Sequence, residues 1–192
     1  MKQLADYATQ RLIDEAVIPE ADAEIYAYGF DYLFTLTYTY GSLLILATFL
    51  GTVPETLLFF LAFFPLRSYA GGYHATTRLR CYLASVVMII LFNVLLVMIP
   101  SMCYISLAMF IVGFAWLCLI LWAPIVHENH PVTPADKRRF RKYSFVICGV
   151  ESVLLLLGQV AQPENTFTFA FGLGLLSAVV TMPIVRLANK HR

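Results

Sequence analysis

The sequence predicts an all-α fold, a polytopic membrane bundle of about six transmembrane helices with an amphipathic helix at its N-terminus. Three observations predict it. The 192 residues are 60% hydrophobic and 13% charged, whereas soluble domains carry roughly a quarter charged residues. Apolar runs long enough to cross a bilayer follow one another along the chain. All thirteen Lys and Arg residues fall in alternate connections between those runs, as expected when one face of the membrane retains positive charge. The expected organisation is an amphipathic helix over residues 1–28 and a membrane-embedded domain over residues 29–192.

The N-terminal stretch places Leu4, Ala8, Leu12 and Ala16 four residues apart, with Asp6, Gln10, Asp14 and Glu15 between them. That spacing is an amphipathic helix, lying on the interface or packed against the bundle. The first apolar segment runs from about Phe30 to Leu50 and opens on an aromatic, hydroxylated stretch (Phe34 to Tyr40) suited to a headgroup boundary or a wet cavity. The second runs from about Glu55 to Leu66, the third from Tyr82 to Ile99, and the fourth from Cys103 to Ala123, stopped by Pro124. The fifth runs from Ser144 to Ala161, and the sixth from Phe167 to Leu187 with Pro183 near its end, where a kink is expected. Nothing resembles a cleavable signal peptide, so the first helix is expected to act as its own insertion signal.

Orientation follows from the cations. Lys2 and Arg11 precede the first segment, and Arg67, Arg78 and Arg80 lie between the second and third. Lys137, Arg138, Arg139, Arg141 and Lys142 lie between the fourth and fifth, and Arg186, Lys190 and Arg192 follow the sixth. The connections near Thr52, Ser101 and Gln162 have none. Six spans with both termini in the cytoplasm are predicted. Pro54 to Leu66 as a helix would cover only about 20 Å of a core about 30 Å thick. Either the bilayer thins there, or the connection after it starts below the cytoplasmic surface, away from bulk water.

That connection, Arg67 to Cys81, gathers one His, one Cys and a Gly pair beside three Arg. A thiolate is the nucleophilic form of cysteine, and a nearby His can generate it. Thr76 or Thr77 can cap the third helix, leaving Cys81 in or just after its first turn, where the helix dipole and Arg78 and Arg80 favour the thiolate. On one unbroken helix His74 and Cys81 would lie about 10 Å apart in rise. Direct contact therefore requires the chain to bend between them, which Gly71-Gly72 and the Thr pair permit. Read from spacing alone, the loop is more simply a basic cytoplasmic connection with an incidental His and Cys.

The string Arg67-x-x-Ala70-Gly71-Gly72-x-His74-Ala75, with Cys81 seven residues after the His, resembles the accessory gene regulator B (AgrB) family, as do Ala123-Pro124, Asn129, Pro131 and the basic cluster that follows. The resemblance implies a bacterial cell-membrane cysteine endopeptidase, its active-site loop cytoplasmic, whose residues 29–192 form the peptidase domain. Such an enzyme cleaves the C-terminal tail of a quorum-sensing propeptide through an acyl-enzyme thioester and supports its cyclisation to a thiolactone or lactone. By the same resemblance Cys81 and His74 are catalytic, and Arg67 and Gly72 support them. Lys137, Arg138, Arg139, Arg141 and Lys142 are candidates for binding an acidic precursor tail, or more simply a topology signal and a contact for anionic lipid. The partners expected are the propeptide, membrane lipid and, as an allowed assembly, a second copy of the chain. Nucleic acid is not expected, and neither is a metal or organic cofactor.

Other features carry weaker chemistry. His127-Glu-Asn-His130 lacks the HExxH spacing of zinc proteases, and the Gly pair is not followed by a phosphate-loop pattern. Glu151 lies inside the fifth segment, where an ionisable group marks either a functional site or a buried carboxyl facing the bundle. Cys118 and Cys148 are expected to be packing residues. The rival functions are a small transporter or peptide exporter using Glu151 and the polar face of the first span, and a non-catalytic membrane adaptor.

Overall fold

The computed structural model describes residues 2–71, 77–125 and 133–190, the last part (184–190) by its backbone path. Their regular structure is helical: α1 (Lys2–Asp14), α2 (Ala23–Leu50), α3 (Val53–Ala70), α4 (Arg78–Met98), α5 (Tyr104–Trp122), α6 (Pro134–Ala161) and α7 (Thr166–Lys190). The chain forms two compact units, residues 1–49 and 50–192.

The first unit holds α1 and α2. Along α1, Gln10 donates to Asp14 (3.0 Å) and Arg11 pairs with Glu15 at 3.5 Å, the i to i+4 spacing that supports an exposed helix. Ala16, at φ 54°, reverses the chain, and the amides of Val17 and Ile18 return to the Leu12 carbonyl. Three hydroxyls of α2 bond to their own helix: Thr35 to Asp31, Ser42 to Thr39 and Thr48 to Leu44. Internal satisfaction of this kind lets a Thr- and Ser-bearing helix enter an apolar medium.

The second unit is a five-helix bundle arranged around α7, which packs most extensively on α3 and then on α5. A Cβ on Gly174 would collide with the Phe59 carbonyl and crowd Ala62, so α7 carries its only tolerable residue where the two backbones meet. Small residues at crossings are how membrane helices gain close packing. Phe59 also meets Phe92 of α4 at 4.7 Å between ring centroids, and Tyr104 of α5 stacks on Phe169 of α7 at 4.0 Å. The outward faces are apolar: Val87, Leu91, Val94 and Val97 on α4, and Val146, Val150, Val153 and Leu157 on α6, are all exposed. Several polar side chains are instead turned inward, including Asn93, Ser144, Glu151, Ser152 and Gln159. That inversion suits lipid as the surrounding medium.

Five helices, α2, α4, α5, α6 and the Thr166–Pro183 part of α7, are long and apolar enough to cross a membrane. The sixth expected span is α3. It differs from expectation in length, since the helix passes Leu66 and continues through Arg67 to Ala70. Its 18 residues cover about 27 Å, so most of the expected shortfall disappears and Arg67 belongs to a helix, not to a loop. The basic cluster is also helical, because α6 begins at Pro134, ten residues before the apolar stretch. Pro183 lies inside α7 without ending it.

Candidate functional site

The motif begins on the last turn of α3. Arg67 is half-buried there, and its Nη1 donates to the Thr181 hydroxyl of α7 at 2.9 Å. Its guanidinium also lies 5.8 Å from the centre of the Phe63 ring, a cation–π contact one turn back. The Gly71 amide closes α3 by donating to the Arg67 carbonyl at 3.2 Å. Gly71 itself adopts φ 76° and ψ −174°, a region essentially reserved for glycine. A Cβ at this position would run into the Ile125 carbonyl, while the Ile125 amide donates to the Ala70 carbonyl at 3.0 Å. The residues following α5 thus lie directly across the end of α3.

The other end of the motif opens α4. Thr77 is the N-cap, its hydroxyl accepting from the Arg80 amide at 3.3 Å, as the sequence led us to expect for one of the two threonines. Cys81 follows in the first turn, its amide donating to the Thr77 carbonyl at 3.1 Å and its own carbonyl accepting from Ser85 at 3.1 Å. Its thiol is exposed, Cys103 is partly covered, and Cys118 and Cys148 are buried. Thr76, His74 and Gly72 lie outside the described residues, as do the His127 to His130 stretch, Pro131 and Arg192.

The basic helix belongs to the same end of the bundle. Thr133 caps α6, accepting from the Asp136 amide (3.2 Å) and donating to its carboxylate (2.6 Å). Lys137, Arg138, Arg139, Arg141 and Lys142 are all exposed on the following turns. Tyr69, two residues before Gly71, meets Phe140 and Tyr143 edge-on at 6.1 and 5.2 Å between centroids. These rings join the start of the motif to the cationic part of α6.

Glu151 sits deeper on α6, 5% exposed, with Oε2 lacking a hydrogen-bond partner among the described residues. Beside it Ser152 accepts from Trp116 Nε1 at 3.2 Å and lies 3.8 Å from the Cys148 sulfur. Sequence reasoning passed over Thr181 and Ile125, which bear on the motif only through the tertiary fold. Neither carries a local pattern that could have singled it out.

The chain matches the accessory gene regulator B family over residues 3–182. It is 29% identical over 139 residues to accessory gene regulator protein B of Staphylococcus carnosus, covering 71% of this chain and 67% of that one. To the protein of the same name from Staphylococcus epidermidis it is 28% identical over 146 residues, 76% and 70% of the two chains. To Protein FsrB of Enterococcus faecalis it is 26% identical over 159 residues, 80% of this chain and 62% of that one. No solved structure matches it.

Proposed function

Because the chain belongs to the accessory gene regulator B family, we propose that it is a membrane cysteine endopeptidase that removes the C-terminal tail of a quorum-sensing propeptide. The observation that carries the reading is that the family match spans the motif and that, of the four thiols, Cys81 is the exposed one. Buried thiols make poor nucleophiles because a peptide carbonyl cannot reach them.

In this reading His74 takes the proton from Cys81, and the thiolate attacks the carbonyl before the tail. The tetrahedral intermediate collapses to an acyl-enzyme thioester, and the tail leaves as an amine that takes its proton from the imidazolium. An internal Cys or Ser of the precursor then attacks the thioester, restoring Cys81 and closing a thiolactone or lactone ring. Water competes with that second attack, so cyclisation requires that the bound precursor itself keep water from the thioester. The chemistry requires no metal or organic cofactor. Arg67 is drawn into positioning the motif by its bond to α7, and Gly72 supports the site as the family resemblance implies. The cations from Lys137 to Lys142 would receive an acidic tail, and the motif would face the cytoplasm.

The test is cleavage of a dye-labelled precursor bearing an internal cysteine and an acidic tail, by protein in vesicles. Cys81→Ser abolishes cleavage and leaves membrane insertion intact, whereas Cys103→Ala, Cys118→Ala and Cys148→Ala retain it. Full activity in Cys81→Ser would end the reading of Cys81 as the nucleophile, whereas a wild-type chain that cleaves no precursor would favour the transporter alternative, for which the buried carboxyl of Glu151 is the supporting observation.

A further inference from the structure

We propose that Thr181 is a positioning residue of this site, holding Arg67 and through it the last turn of α3 at the start of the motif. The inference rests on the endopeptidase reading for its kinetic consequence but on geometry for the contact itself. Arg67 Nη1 donates to Thr181 Oγ1 at 2.9 Å, and Thr181 Oγ1 in turn donates to the Ala178 carbonyl at 3.2 Å. The hydroxyl's one proton is therefore committed to its own helix, and its lone pairs are left to accept from the guanidinium. Two bonds in series polarise each other, so the chain is stronger than either alone.

The same turn of α3 is held at two further points. Gly71 donates to the carbonyl of Arg67, and Ile125 donates to the carbonyl of Ala70. Residues 67–71 are thus tied to α7 through a side chain and to the residues after α5 through the backbone. The bond to Thr181 restricts the guanidinium, which on its four-bond stem has many rotamers to lose. The Phe63 ring lies beside the guanidinium as well, its centre 5.8 Å away. A valine at 181 would fill the same space and offer no acceptor, whereas a serine would keep both bonds.

Two measurements separate the contact from the chemistry. The first requires no substrate: thermal unfolding of the full chain in mixed micelles for wild type, Thr181→Val, Arg67→Met and the double variant. Thr181→Val lowers the midpoint in the wild-type background and changes it little once Arg67 is Met, since the bond can be lost only once. Additive shifts overturn the proposal. The second uses the labelled precursor, with rates expressed per alkylatable Cys81 thiol. Thr181→Val lowers kcat about tenfold, the weight of one hydrogen bond to a charged group, with KM unchanged, and Thr181→Ser restores it. An unchanged kcat in Thr181→Val, or equal losses in the Val and Ser variants, overturns the proposal. A wild-type chain that cleaves no precursor overturns the endopeptidase reading and the positioning role together, while the thermal cycle still reports whether the bond exists.

Discussion

Gly71 answers two demands that no other residue meets together. Its backbone sits at φ 76°, and the Ile125 carbonyl occupies the space where a Cβ would go. Gly71→Ala is expected to cost about 1–3 kcal/mol for the backbone conformation alone, with the collision adding to it. A lowered unfolding midpoint with cleavage reduced at least as much as in Thr181→Val is the expected outcome, and wild-type values in both would refute it. At this scale Cys81 was legible in the sequence, because a capping threonine and the spacing after it place the thiol in a first turn. The need for glycine at 71 was legible only as backbone freedom. The carbonyl that excludes a side chain belongs to Ile125, distant in the chain and brought there by the packing of α5.

Two elements changed between expectation and structure, and both changes bear on the site. α3 continues through Arg67, Ser68 and Tyr69, residues whose polarity suggested a loop. Helix survives because the guanidinium finds Thr181 and Phe63 while Tyr69 finds the rings of α6. α6 likewise begins at Pro134, which supplies a first-turn φ without an amide that would be orphaned there. Its cations are therefore displayed on successive helical turns, not on a loop, and they flank the aromatic junction with α3. Reversing charge at Arg138, Arg139 and Arg141 is expected to weaken binding of an acidic-tailed precursor about tenfold at low salt, three exposed pairs at a few tenths of a kcal/mol or more each. The effect should shrink as salt screens it, and kcat on bound precursor should persist. Binding that is unchanged in correctly inserted protein would exclude α6 as the docking element.

Across the whole molecule, charge and burial run opposite to a soluble protein: apolar side chains cover the outside of the bundle and several polar groups lie within it. The one-sided distribution of Lys and Arg leads us to expect both termini and the Arg67 to Cys81 region on the cytoplasmic face. A reporter fused after Arg192 should then be active only in a form that works in the cytoplasm, and one inserted near Ser101 only in a form that works outside. The reverse pattern would overturn the orientation and, with it, access of a cytoplasmic precursor to Cys81.

The sequence by itself determined that the chain is a membrane helical bundle, where its apolar segments lie, and that Cys81 falls in the first turn of a helix. Those properties are local: hydropathy, the period of a helix, and the chemistry of a cap are written in neighbouring residues. The tertiary structure decided that α7 is the centre of the bundle, that Gly174 admits α3 against it, that Ile125 lies across Gly71, and that Arg67 answers to Thr181. Each of these joins residues far apart in the chain, and in a membrane the choice between partners is made by backbone approach and hydrogen bonding across helices, not by hydrophobicity, which every helix shares.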